Sequence, residues 1–202
     1  REEFFHRLKP HATKNQLKRL GRVWDFAERV HRRQPRDSGE PYFNHPISVA
    51  WSRMVEFECY HLPSIEDDLL HDTLEPDEYS AHVTWKQLRE QFGEETADRA
   101  HAVTHKRQSG KKKEPLPQYI KRFSRQWETL LTKLLDRLHN MRTLHYCDVP
   151  KQLRKAEETL RFYVPLCYKL EAMLPAEYQH IAPKLRHELE RECKKYLPTR
   201  RK

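Results

Sequence analysis

The sequence predicts an all-α fold, a single bundle of about eight helices, on three observations. Only four glycines occur in 202 residues. The prolines fall mostly between periodic stretches, where they punctuate rather than interrupt. Within those stretches Leu, Trp, Phe and Tyr recur at three- and four-residue intervals, the spacing of one helix face. A chain of this length accommodates one full-sized domain, residues 1–202, and its 37% hydrophobic content supplies a core despite 34% charged residues.

The elements follow in order. Leu17, Leu20, Trp24 and Ala27 mark an amphipathic helix from Thr13 to His31. The run Arg36-Asp37-Ser38-Gly39-Glu40-Pro41 breaks it, and Ile47, Ala50, Trp51, Met54 and Phe57 begin a second helix with His45 at its entrance. Ser64 is a candidate cap for a third, carrying Ile65, Leu69 and Leu70 into His71-Asp72 and stopped near Pro76. Thr84 and Gln87 have capping-box spacing before a short helix that ends at Gly93, and another covers Glu94 to about Lys106.

Arg107 to Pro117, with Lys111-Lys112-Lys113, has no apolar period and reads as a mobile basic loop. A long helix follows, in which Ile120, Phe123, Trp127, Leu130, Leu131, Leu134, Leu138 and Met141 hold one register, with Asp136 and Asn140 on one face. Lys151 to Leu174, kinked at Pro165, and Tyr178 to Leu197 complete the bundle, residues 176–202 forming a basic helical extension with a frayed end.

A net charge of +9 favours a polyanionic partner, nucleotide phosphate or nucleic acid alike. Nucleic acid is disfavoured: no recognition-helix motif is present, and Trp24, Trp51, Phe123 and Trp127 fall on apolar stripes. Cys59, Cys147, Cys167 and Cys193 are too scattered for a zinc knuckle or a disulfide framework. With no apolar run of ~20 residues and no signal peptide, the expectation is a cytoplasmic protein without membrane contact, its first residue, not Met, suggesting trimming.

Four residues carry the chemistry. His71 and Asp72 are adjacent at a helix end, and Glu75 follows at helical spacing from both. His45 and Asp136 would complete a set of two imidazoles and two carboxylates, donors suited to one Mn, Fe or Zn ion with positions left for water. Simpler readings stand beside this one. His45 reads equally as a loop histidine, His71-Asp72 as a charge pair at a helix end, and Asp136 as a carboxylate paired with Arg137 or Arg142.

The words around these residues carry a resemblance. They are Arg36-Asp37-Ser38-Gly39-Glu40-Pro41-Tyr42-Phe43-Asn44-His45-Pro46, Leu69 to Glu75, Phe92-Gly93-Glu94-Glu95 with Val103-Thr104-His105-Lys106, Asp136 to Leu144, and Ala156 to Leu160 with Tyr163-Val164-Pro165-Leu166. In order and spacing the chain resembles the hydrolase domain of the RelA/SpoT-like alarmone enzymes, of the His-Asp (HD) superfamily, over about Leu17 to Leu170. In length it is similar to the small stand-alone alarmone hydrolases. The resemblance implies a manganese ion on His45, His71, Asp72 and Asp136 and removal of the 3′-pyrophosphate from guanosine tetra- or pentaphosphate. It implies Glu75 as general base and a nucleotide cleft lined by Arg36, Ser38, Lys106, Arg137, Asn140, Thr143, Lys151 and Tyr163.

Two positions depart from the family's pattern. Pro76 stands where an aspartate normally follows Glu75, with an acid returning only at Asp77, and Asp37 replaces a lysine beside Arg36. The related readings are the same site acting on adenosine alarmones or on the 2′-phosphate of NADPH, and a nucleotide-binding module with little turnover.

Overall fold

The structure, a computed structural model, describes residues 1–36, 38–75, 79, 81–105 and 114–198. Of the loop predicted over Arg107 to Pro117, residues 107–113 lie outside the described residues, as does the tail beyond 198, while Leu116 and Pro117 already belong to a helix. The architecture is all-α, as expected. Among the described residues there are eleven α-helices: α1 (Glu2–Leu8), α2 (Lys14–Val30), α3 (Asn44–Trp51), α4 (Leu62–Leu70), α5 (Trp85–Phe92), α6 (Glu94–Val103), α7 (Leu116–Phe123), α8 (Trp127–Arg142), α9 (Val149–Glu158), α10 (Leu166–Met173) and α11 (Ile181–Lys194).

Of the three helices beyond eight, α1 was not predicted from the sequence, and the other two arise from breaks with physical causes. The stretch expected as one long helix breaks between α7 and α8, where Gln126 adopts an extended conformation and the Thr129 hydroxyl donates to the carbonyl oxygens of Phe123 (2.6 Å) and Gln126 (3.2 Å). Phe123 and Trp127 both face the same core, so the apolar period runs across the break and conceals it. Pro117 lies in the first turn of α7, where its missing N–H costs nothing. A π turn at Thr159–Tyr163 and Pro165 at the N-cap of α10 divide the helix expected over 151–174. Ser64 does not cap α4, which begins at Leu62. Its hydroxyl instead contacts His61 Nδ1 at 2.9 Å inside the first turn. The capping box of Thr84 and Gln87 is present as read, and Thr13 and Gln16 form a second.

Two apolar clusters make the interior. Leu20, Trp24, Ala27, Met54, Ile65, Leu69 and Leu88 build one, between α2, α3, α4 and α5. Phe123, Leu130, Leu131, Leu134, Leu138, Leu170, Leu185 and Leu189 build the other. The C-terminal helix α11 contributes Ile181, Leu185 and Leu189 to this second cluster. α8 packs against both α4 and α11, between the two clusters.

The central helix α4 is buried along most of its length although it carries Glu66-Asp67-Asp68. Each acid meets a different arginine. Arg19 of α2 grips Glu66 at 2.6 and 2.8 Å, Arg99 of α6 reaches Asp67 at 2.7 Å, and Arg53 holds Asp68 at 2.5 and 2.8 Å. Arg53 comes from a π turn, Ser52–Glu56, that continues α3, and both it and Asp68 bond Thr132 of α8 at 2.9 Å. Removing one partner of a buried pair leaves the other charge uncompensated, so Arg53→Met is expected to lower unfolding stability by about 3–5 kcal/mol, read as a fall in the urea midpoint. A change under about 1 kcal/mol would show that the pair does not hold α4.

Candidate metal centre and its cleft

The four predicted donors come from α3, from the turn that follows α4 and from α8, and their side chains converge. His45 sits in the first turn of α3, behind a tight loop closed by Tyr42 N–H to Gln34 O (2.9 Å) and Arg36 N–H to Glu40 O (3.0 Å). Gly39 turns that loop at φ +83°, a conformation costly for a residue with a Cβ. His71 caps the C-terminus of α4, Asp72 follows it, and Asp136 projects from the middle of α8.

His45 Nε2 and His71 Nε2 lie 3.2 Å apart. Asp72 Oδ2 is 3.0 Å from His71 Nε2 and 3.6 Å from His45 Nε2. Asp136 Oδ1 is 3.1 Å from His45 Nε2 and 3.8 Å from His71 Nε2. Donors ~2.1 Å from one ion lie roughly 3.0–3.4 Å apart. Three of the five spacings fall in that range and two are wider, and His45, His71 and Asp72 together form a group that could hold a metal ion.

The outer nitrogens fix the tautomers. His71 Nδ1 donates to the carbonyl oxygen of Asp68 at 2.7 Å, an acceptor only, which leaves a lone pair on Nε2. His45 Nδ1 meets His139 Nδ1 at 2.8 Å. Burial, with His45 and Arg36 nearby, pushes His139 down to about 3, so it stays neutral, and in the tautomer where His139 accepts from His45 the His45 Nε2 is free as well. Tyr42 donates its hydroxyl to Asp72 Oδ2 at 2.6 Å, and Asn140 its amide to Asp136 Oδ1 at 2.6 Å.

Two imidazole lone pairs and two carboxylates crowded together require a positive charge between them, and the residues present fit a divalent ion. Without one, a proton takes the place. Burial works against charge on His71, yet Asp72 and Asp136 outweigh it and push His71 up to about 9. Burial also opposes ionisation of Asp72 and Asp136, but His71 pulls the first carboxyl down and Lys133 the second.

The cluster opens into a cavity of about 580 Å³. Arg36, Ser38, Arg137, Asn140, Thr143, Lys151 and Tyr163 all line it, while Lys106 lies outside the described residues. So do Asp37, Pro76, Asp77 and Lys111–Lys113. Glu75 lines the cavity too, although the helix-face argument for it fails. α4 ends before His71, and residues 71–75 form a turn in which Glu75 N–H bonds Asp72 O (3.0 Å) and the Glu75 carboxylate accepts the backbone N–H of His105 (3.0 Å).

The arginine partners read as alternatives for Asp136 are engaged elsewhere. Arg137 bonds Glu158 at 2.8 Å and stacks on Tyr163 at 3.9 Å, while Arg142 bonds Glu56 and Glu188. The partner of Asp136 is Lys133, at 2.5 Å. Sequence reasoning passed over Lys133, Tyr42, His139, Tyr119 and Lys155. The i,i+3 spacing of Lys133 and Asp136 within an apolar run was the one available signal.

The profile of the family described as "HD domain" matches residues 23–173, three-quarters of the chain. The chain belongs to the HD domain family. That match takes in all four donors and ends before α11. A guanosine-3′,5′-bis(diphosphate) 3′-pyrophosphohydrolase of Aquifex aeolicus is 31% identical over 97% of this HD domain chain and 30% of its own length. A GTP pyrophosphokinase of Streptomyces coelicolor is 35% identical over 80% of the chain and 19% of its own, and the bifunctional (p)ppGpp synthase/hydrolase SpoT of Escherichia coli 31% identical over 81% and 23%. The chain thus spans between about a fifth and a third of these relatives. A solved structure described as a metazoan ortholog of SpoT that hydrolyzes ppGpp shares the fold, with a TM-score of 0.62 at 21% identity over 89% of this chain and 97% of that one.

Two outcomes are expected of the metal-free HD domain. The proton on His71 stabilises the fold below its ordinary value, and that contribution is lost as pH rises through about 9. A divalent ion must displace the same proton, so calorimetry at pH 7 in buffers of different ionisation enthalpy should show about one proton released per ion, with affinity rising towards pH 9. Binding without proton release would place the ion elsewhere.

Proposed function

We propose that this HD domain, α11 included, is a metal-dependent hydrolase that removes the 3′-pyrophosphate from guanosine tetra- and pentaphosphate. One Mn2+ would be held by His45, His71, Asp72 and Asp136, with Fe or Zn compatible with the same donors. The observation that carries the reading is a donor cluster opening into a cavity whose walls present cations. Arg36 is held through Nη2 by Asn140 Oδ1 (3.2 Å) and Thr143 Oγ1 (3.4 Å), and its buried Nη1 has no hydrogen-bond partner among the described residues. An unpaired buried guanidinium nitrogen suits a phosphate oxygen. Arg137 and Lys151 add charge on the same walls, Tyr163 lies beneath Arg137, and Ser38 bonds Glu40 at 3.2 Å near the opening loop. The names of the Aquifex protein and of the structural neighbour agree with this substrate.

A divalent ion at the donors would acidify a water and offset charge on the phosphate oxygens. Glu75, oriented by the His105 N–H, accepts a proton from that water. The water oxygen would join the phosphorus next to the nucleoside 3′-oxygen as the bond between them breaks, the 3′-oxygen would take up the proton held by Glu75, and the nucleoside 3′-hydroxyl and pyrophosphate would leave. A cavity of about 580 Å³ is of the size that takes a nucleotide. A cytoplasmic setting agrees with four free cysteines, and no described helix is long and apolar enough to cross a membrane.

Incubation with Mn2+ and guanosine tetraphosphate is expected to give guanosine 5′-diphosphate and pyrophosphate, abolished by chelator. Adenosine tetraphosphate and NADPH run in parallel decide the base and the scissile group. Failure to turn over any of the three would refute the enzymatic reading in favour of a binding module.

A further inference from the structure

The apolar interior of α8 carries one ammonium. Lys133 follows Thr132 and precedes Leu134, and its side chain is 8% exposed. Such burial is costly unless the charge is used. Its Nζ lies 2.5 Å from Asp136 Oδ2 and 5.8 Å from the centroid of the Tyr119 ring, and the residue lines the cavity together with Asp72, Glu75, Tyr119 and Asp136.

The need of Asp136 for a counterion does not account for this placement. Its other oxygen already takes the Asn140 amide at 2.6 Å and faces both imidazoles, and a divalent ion would satisfy it further. An ammonium has three hydrogens, and Asp136 takes one. The cavity wall presents the group beside the donor cluster, where the phosphorus that reacts would sit.

We propose that Lys133 is a substrate-contacting cation of this site, donating to a non-bridging oxygen of the pyrophosphate while Asp136 and Tyr119 hold it in position. As the water oxygen adds and the bond to the nucleoside 3′-oxygen breaks, charge gathers on those oxygens, and a fixed ammonium stabilises it without reorganising. The ligand identity rests on the function proposed above. The contact to a pyrophosphate group does not require turnover.

The test compares wild type, Lys133→Met and Lys133→Arg, each loaded with Mn2+. Three quantities are read: bound Mn2+, the dissociation constant of inorganic pyrophosphate by calorimetry, and kcat and KM on guanosine tetraphosphate. Lys133→Met should keep its Mn2+, bind pyrophosphate at least about tenfold more weakly and lose about 10²–10³-fold in kcat, with Lys133→Arg recovering part of both. Lys133→Gln, which keeps a donor for Asp136 without the charge, gives the same comparison if Lys133→Met does not fold. Unchanged pyrophosphate affinity, or loss of Mn2+ together with activity, would overturn the proposal and leave Lys133 a counterion. If wild type hydrolyses no nucleotide yet binds pyrophosphate in a Lys133-dependent way, the substrate assignment fails and the contact stands.

Discussion

Three consecutive carboxylates on a helix point in directions about 100° apart, so a buried helix carrying them must find a cation on most of its sides. α4 does so with Arg19, Arg53 and Arg99, drawn from three other elements. Their combined effect is to fix both the rotation and the depth of α4, since any shift would strand at least one charge away from water. Asp68 extends that constraint into the site. Its carboxylate is locked by Arg53 and Thr132, while its carbonyl oxygen accepts His71 Nδ1 and so selects the tautomer. Replacing such pairs with apolar residues often costs little stability, and their value here lies in geometry.

The donors themselves are arranged against their own preference. Lone pairs and carboxylate oxygens held between 3.0 and 3.8 Å apart repel unless a cation intervenes. Neighbours keep them there: Tyr42 on Asp72, Asn140 and Lys133 on Asp136, His139 on His45. Each neighbour also orients one lone pair towards a common point, as is usual for partners of metal ligands. The same helix turn that presents Asp136 presents Asn140 and, one turn later, Thr143, which together hold Arg36. Asp136, the proposed ligand, and the two residues that hold Arg36 are therefore carried by one stretch, the C-terminal half of α8 and its cap.

Much of this was legible in the sequence where residues act locally. The caps of Thr84 and Gly93, the all-α class and the words around His45, His71-Asp72 and Asp136 depend on spacing along the chain. The Ser124–Gln126 turn was not legible, because both flanking helices keep their apolar residues in one register. Nor were the partners of Glu66, Asp67 and Asp68, whose arginines lie tens of residues away and are ordinary surface residues by composition. Lys133 within an apolar run reads as a side chain reaching for solvent, and only the packing of Tyr119 against it shows that it stays inside. Helix spacing put Glu75 beside His71 and Asp72, but it is a turn, rather than a helix, that brings it to the cavity wall.

The central claim is that one divalent ion belongs between His45, His71, Asp72 and Asp136. Anomalous diffraction at the manganese edge, from crystals grown with Mn2+, tests it most directly. The account predicts a single strong peak ~2.0–2.3 Å from both imidazole Nε2 atoms and from an oxygen of each aspartate. A site that stays empty at saturating Mn2+, or a peak bound by other residues, would contradict it.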